Sequence, residues 1–355
     1  MKKKILLIAS RPLANDGLTK IEMDIIRFNK DVIQFEIACG FGFDNEYGTE
    51  LRKSGIPCLI LPEKKNVYKY MSEIKHLVET GDYDSVYIHG NSAMMFLEAF
   101  PSKLAETRVI THCHNTKSNY PWIHYIIKPF FNMSVDEKIG CSTLASRWAY
   151  CGKHINTIAN GVDIDSFRFD KNKREDIRNM LEWTQNIIVG HVGRFNRQKN
   201  HKKLIDIFSR MYKKDNNCRL LLIGDGELRL EMEEKIKELG LKDAVHIVEH
   251  TRRPQDYMQA MDIMIMPSLF EGLCLAAVEA QANSLPVLID NFFSPETLAT
   301  DMSGNLNLKA SDEKWAKTAF EMIKSGRKDV SEQLKEKNMG YQDMMIKIQK
   351  VLLNE

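Results

Sequence analysis

Apolar residues in this chain fall into short continuous blocks, separated by longer stretches where they recur every third or fourth position. Continuous blocks bounded by turn residues read as strands buried on both faces, and the wider spacing reads as amphipathic helix. The blocks lie at 4–10, 34–39, 58–61, 85–89, 108–112, 138–142, 187–192, 219–223, 245–248, 263–266 and 286–289. Helical spacing occupies 18–29, 50–54, 67–79, 142–150, 171–181, 201–213, 228–239, 254–261 and 273–282, then 312–325 and 331–353. A glycine-rich loop is expected over 40–48. Strands alternating with helices predict α/β architecture, with parallel sheets covered on both faces.

The densest chemistry lies between Met266 and Asp290. A strand, a turn over 267–272, a helix and a second strand make one strand–helix–strand unit there. Glu271 stands just before the helix, where Gly272, Leu273 and Cys274 can offer backbone N–H groups. A helix start of this kind is a ready site for an anion, phosphate above all. Glu279 lies inside the helix, where a carboxylate must face water or find a partner. Two acids and a helix start at one sheet edge suit a ligand with both a phosphate and hydroxyls, such as a nucleotide-sugar. The plainer alternative is two surface glutamates flanking an ordinary helix.

Other strand ends carry further candidates. The strand 187–192 runs into Gly193-Arg194-Phe195-Asn196-Arg197-Gln198-Lys199-Asn200. Glycine permits close approach, Arg194 can grip a phosphate with two bonds, and Lys199 acts as a point charge; otherwise this is a basic solvated loop. The loop after the first strand contains Asn15-Asp16-Gly17 and either presents amides to phosphate or is a plain turn. His89-Gly90-Asn91 and His112-Cys113-His114-Asn115 close two more strands, and the carboxyl ends of parallel strands are where such sheets bind ligands. An H-x-H pair can bind a metal, but no further ligand cluster stands nearby in sequence, so no metal is expected. Gly224-Asp225-Gly226 lacks the third glycine of a dinucleotide fingerprint, having Arg229 instead, which weakens a dehydrogenase reading. Residues 120–133 are rich in rings: Tyr120, Trp122, Tyr125, Phe130 and Phe131, with His124 and Lys128. The favoured reading is a core helix kinked at Pro129; a surface for an acceptor or a membrane interface is the alternative.

Seven residues lie between Glu271 and Glu279, with Pro267-Ser268 before them and Leu285-Pro286-Val287 after. This pattern closely resembles the E-x7-E signature of retaining GT-B glycosyltransferases of the family 4 type (glycosyltransferase group 1), as in bacterial capsular and exopolysaccharide enzymes. Residues 193–200 resemble the family's G-R-x-x-x-Q-K-N phosphate clamp almost residue for residue. The H-x-H-N pattern is similar to one whose histidine approaches the donor sugar and phosphate; His114 is the assignment and His112 the alternative. The match is partial at Gly17-Leu18, where the family often has two adjacent glycines, and at His250-Thr251, near the base, where it usually has glycine. Ser284 and Cys274 also depart from the pattern, which touches donor specificity more than the reaction. The likeness spans nearly the whole chain and is strongest in the C-terminal half.

The resemblance implies a GT-B fold: two Rossmann-like doubly wound parallel-sheet domains facing across a cleft. The domains would be 1–163 for the acceptor and 164–330 for the donor, with 331–355 crossing back to the first. Asn160-Gly161-Val162-Asp163 would be the linker, which makes the D-x-D of Asp163 and Asp165 accidental. Sugar would pass with retention from a nucleotide-sugar, expected to be a UDP-sugar, to a lipid-linked or saccharide acceptor. The catalytic residues would be Glu271, Arg194, Lys199 and His114, without metal or cofactor. Gly17, Gly193, His250, Thr251 and the helix start Gly272, Leu273, Cys274 and Leu275 would help bind the donor, with Glu279 on the ribose. A nucleotide-sugar epimerase of the same fold and a non-catalytic nucleotide-sugar-binding protein are the competing readings.

Bulk properties narrow the setting. A length of 355 residues suits two domains, and a net charge of +2 does not point to nucleic acid. Seven cysteines without a Cys-x-x-Cys pair suggest free thiols in a reducing compartment. Lys2-Lys3-Lys4 before an apolar run imitates a signal peptide, but the run is short and Arg11 follows at once. The expected location is cytoplasmic, with peripheral contact at the inner face of the membrane.

Overall fold

The computed structural model describes all residues except 1, 14–16, 44, 45, 119, 250 and 252. The chain forms two compact units, one of residues 1–160 with 342–355 and the other of residues 161–341.

Unit 1 is built on strands β1 (Lys3–Ala9), β2 (Ile33–Cys39), β3 (Cys58–Ile60), β4 (Ser85–Gly90), β5 (Arg108–Cys113), β6 (Glu137–Gly140) and β7 (Asn156–Thr157). Their spatial order is β3-β2-β1-β4-β5-β6-β7, and every pairing is parallel. Unit 2 contains β8 (Ile187–Val192), β9 (Cys218–Ile223), β10 (Val245–Val248), β11 (Ile263–Met266), β12 (Val287–Asp290) and β13 (Ser303–Leu306). These lie in the order β10-β9-β8-β11-β12-β13, again all parallel. Each order reverses direction once, between β1 and β4 and between β8 and β11. Doubly wound sheets hold ligands at the carboxyl ends of strands beside such a reversal.

The central strands carry continuous apolar runs because helices cover both faces of a parallel sheet. Ile5, Leu6, Leu7 and Ile8 of β1 and all four residues of β11 are fully buried. The helix His201–Lys214 turns Leu204, Ile205, Ile207, Phe208 and Met211 into the second core, where Trp315 joins them. Each such side chain contributes roughly 1.5–3 kcal/mol through burial. Asp262, just ahead of β11, accepts from the Ile188 amide at 2.8 Å and from Arg174 and Arg178 at 2.5 and 2.6 Å. One carboxylate thus fixes β8 against β11 and sets the two strands that carry the candidate site.

The helix Phe96–Leu104 and the short strand β7 were not expected from the sequence, and four further stretches depart from the expectation. The helix Glu46–Lys53 takes up Gly48, whose added Cβ would come within 2.0 Å of the Phe43 carbonyl oxygen, so glycine there serves packing rather than a loop. The helical span 331–353 is two helices, Ser331–Glu336 and Tyr341–Leu353. Asn338 adopts a left-handed φ of 53° between them, and Gly340 bridges to Val162. The strand β13 was not expected because its sequence, Ser-Gly-Asn-Leu, is polar.

The fourth departure is the ring-rich helix Pro121–Met133, which is not a core helix. Trp122, Tyr125, Ile126, Phe130 and Met133 are exposed, and only His124 and Phe131 are buried. The helix seats itself by its polar ring: His124 stacks on Trp148 at 3.8 Å and its Nδ1 accepts from the Ala93 amide at 3.1 Å. That leaves the aromatic side outward.

Candidate active site

In unit 2 the reversal between β8 and β11 brings two loops together. Gly193 follows β8 with its amide donating to Ile223 O, and Phe195 N donates to Asp225 O at 2.8 Å. Gly224 has a φ of 142°, and a Cβ on it would lie 2.2 Å from the Gly193 oxygen, so the loops after β8 and β9 can touch only through glycine. The β8 loop then turns on Asn200, which sits in the left-handed region at φ 55°. Its side-chain amide donates to Pro267 O at 3.0 Å, while Leu269 N donates to Gln198 O at 2.8 Å. These bonds stitch residues 196–200 to the turn after β11.

The stitching places Lys199 Nζ 2.8 Å from Glu271 Oε1, and Gln198 Nε2 donates to Glu271 Oε2 at 3.0 Å. The lysine and glutamate side chains are only 16% and 7% exposed, so this is a buried ion pair. Burial works against the Lys199 ammonium, but the Glu271 carboxylate outweighs it and holds the pKa above that of an ordinary lysine. Arg194 differs: it reaches Glu227 at 3.3 Å with both side chains more than half exposed. The helix Leu275–Ala282 begins two residues later than the sequence suggested, and its N-cap, Cys274, makes no side-chain capping bond among the described residues. The amides of its first turn, Leu275 among them, have no acceptor within the helix. Cys274 is buried, which pushes its thiol up to about 12. Gly272 and Leu273 are buried beside it, and Glu279 is half-buried, close enough to Lys199 to support its charge. Beneath the loops, His191 donates from Nδ1 to Ile265 O at 2.8 Å, and burial holds it neutral with a pKa of about 3.

The remaining candidates fall elsewhere. Thr251 Oγ1 accepts from the Arg253 amide at 3.0 Å, and His250 lies outside the described residues. Asp163 caps the helix Ile164–Phe167 by accepting from Ser166 N at 3.2 Å. In unit 1, Gly17 opens the helix Gly17–Asn29; its neighbours Asn15 and Asp16 are outside the described residues. His114 lies at the carboxyl end of β5 with its Nε2 3.1 Å from His89 Nδ1, and His112 is beside both. Sequence reasoning gave no task to Gln198, although it stands in the quoted clamp motif, nor to His89, although it ends its strand.

This geometry can hold an anionic ligand against a lysine and a helix start, with a carboxylate facing its hydroxyls. Residues 172–339 match the family model described as glycosyl transferases group 1. This part of the chain is similar to that family. Over nearly its full length the chain is similar to the capsular polysaccharide biosynthesis glycosyltransferase CapH of Staphylococcus aureus, at 23% identity covering 92% of each. A shorter match, 30% identical over 143 residues, covers 39% of this chain and 36% of the UDP-Gal:alpha-D-GlcNAc-diphosphoundecaprenol alpha-1,3-galactosyltransferase of Escherichia coli. Among solved structures, Anabaena Alr3699/HepE in complex with UDP-glucose has a TM-score of 0.83 at 17% identity, over 99% of this chain and 100% of that one. The fold is that of GT-B glycosyltransferases.

Proposed function

We propose that this protein is a retaining glycosyltransferase that moves a sugar from a UDP-sugar to a lipid-linked saccharide, without a divalent metal. The observation that carries the reading is the buried Lys199–Glu271 pair, joined by Gln198 at the start of the helix Leu275–Ala282. Two names support the finer terms: HepE is described in complex with UDP-glucose, and the Escherichia coli relative is named for a UDP-galactose donor and a diphosphoundecaprenol acceptor.

The leaving group of a UDP-sugar gains negative charge as the glycosidic bond breaks. Lys199, Arg194 and the first-turn amides would receive that charge, which is the electrostatic task a metal performs in other transferases. Glu271 would bind a hydroxyl of the donor sugar, held in place by Lys199 and Gln198, and Glu279 would accept from the ribose. Gly17, Thr251 and His250 would complete donor binding, and His114 would approach the sugar. The departing phosphate would deprotonate the acceptor hydroxyl on the same face, which preserves the anomeric configuration. The acceptor end of the reaction would lie at the inner membrane surface, where Trp122, Tyr125 and Phe130 form an amphipathic contact of the kind aromatic rings make with lipid headgroups. Among the described residues no helix is long and apolar enough to cross a membrane, so contact of this kind would be peripheral.

The test is to incubate the purified protein with UDP-sugars and a diphosphoundecaprenol-linked saccharide in excess EDTA. Transfer should proceed, and proton couplings of the product should show the donor's anomeric configuration. An inverted centre, or activity restored only by Mg²⁺ or Mn²⁺, would overturn the corresponding half of the reading. Conversion of the donor without acceptor would make the protein an epimerase.

A further inference from the structure

The parallel register of β4 and β5 sets His89 directly beside His112, and strand alternation brings His114 to the same side. Three imidazoles therefore meet at the carboxyl end of the first sheet, each with one ring nitrogen within 4.8 Å of the others. We propose that His89, His112 and His114, all of unit 1, form a binding site for a divalent transition metal of the zinc type.

The spacing fits such an ion. His89 Nδ1 and His114 Nε2 are 3.1 Å apart. Two imidazole nitrogens at 2.0–2.1 Å from a tetrahedral zinc stand about 3.3 Å apart. Between neutral rings that contact is one shared hydrogen; a divalent ion would take its place once that hydrogen moves to the other nitrogen of its own ring, with no net proton released. His112 is oriented for the third bond: its Nδ1 is held by Tyr87 Oη at 2.8 Å, and its buried Nε2 has no hydrogen-bond partner among the described residues. Metal-bound histidines are fixed by an outer bond of this kind. Glu22 Oε1 stands 3.9 Å from His89 Nδ1 and supplies negative charge nearby, while its other oxygen lies 3.6 Å from Arg11. His89 and His112 are fully buried and His114 is part-exposed, which gives the ion a way in. An all-imidazole set suits zinc, cobalt, nickel or copper and not magnesium or calcium. Three protein ligands leave a fourth position for water.

The probe is Co²⁺ added to chelator-stripped full-length protein. One equivalent per chain should bind with the visible absorption of a tetrahedral site, and Zn²⁺ should bleach it. His114→Ala, chosen because that residue is the least buried of the three, should abolish the band. Tyr87→Phe should weaken binding by about 10–100-fold. His154→Gln, on the exposed surface, should change nothing. Circular dichroism without metal establishes that each variant is folded. Absence of saturable cobalt binding by the folded wild type, or a band that survives His114→Ala, would overturn the proposal. A band lost equally in His154→Gln would do the same. Turnover in EDTA tests the unit 2 reading and cobalt binding tests this one, so either can fail alone.

Discussion

The two sheet reversals bury titratable groups in opposite ways. At the reversal of unit 2, Lys199 and Glu271 are both charged and almost out of water, and each supplies the other's counter-charge at 2.8 Å. Beside the reversal of unit 1, three imidazoles pack within stacking distance and give up their charge instead, with His112 driven down to about 3 by burial. Desolvation acts on both sets. The outcome differs because a carboxylate in direct contact can outweigh it, whereas a ring surrounded by other rings has only neutrality as an escape. A paired cation is ready to meet a growing negative charge; a neutral imidazole cluster resists a proton and keeps its ring lone pairs for a metal ion.

The contrast can be broken first at Lys199. Lys199→Ala should lower kcat about 10²–10³-fold. It should also destabilise the fold by about 3–5 kcal/mol, because Glu271 would be left buried without its cation. Lys199→Ala with Glu271→Ala should cost less stability than the sum of the two single losses. Urea unfolding of the three variants decides, and additive losses would show that the pair is not a unit.

A smaller effect concerns the neutral histidines. His201 packs edge-on to Phe195 and His191, and burial holds its pKa at about 2, against about 6.5 in the unfolded chain. Above pH 6.5 both states are neutral and the group is silent. As pH falls below 6.5 the unfolded chain takes up a proton that the folded chain refuses. Stability is then lost at about 1.4 kcal/mol per pH unit for each such histidine. His201→Leu should be near neutral at pH 7.5 and should remove one share of that slope between pH 6 and pH 4, measured by denaturant midpoints. An unchanged slope would mean His201 titrates normally in the folded protein.

The smallest effect on stability is expected at Arg194, whose pair with Glu227 is exposed. Arg194→Ala should shift stability by less than about 1 kcal/mol while lowering kcat at saturating donor. If kcat is unchanged, Arg194 belongs to the solvated surface, and the cationic half of the comparison rests on Lys199 alone.

What could be read in the sequence follows from the range of the interactions. The strands other than β7 and β13 were legible because their apolar runs are continuous, and the loops after β8 and β11 because a local order of residues marks them; Asn156–Thr157 and Ser303–Leu306 are polar and gave no such signal. The contact between Lys199 and Glu271 was not, since 72 positions separate them and only sheet order brings them together. His89 was missed as a member of the histidine cluster for the same reason: two successive strands ending in histidine were visible, but the register that aligns them was not. The aromatic helix misled because rings ordinarily signal a core, and nothing local reveals that His124 would take the inward place.

The chain leaves unit 1 after Asn160 and returns to it at Gln342. Both crossings occur at one spot, where Val162 N donates to Met339 O and Tyr341 N donates to Val162 O, each at 2.9 Å. Gly161 permits this, since a Cβ there would lie 2.3 Å from the Gly340 oxygen. In genetic terms unit 2 is an insertion whose two ends already touch. Segments with adjacent ends are the ones that insertion and permutation tolerate. Residues 161–341 are thus a natural cassette: a related donor half, cut at the same two glycines, could replace it while leaving the sheet and closing helix of unit 1 uncut.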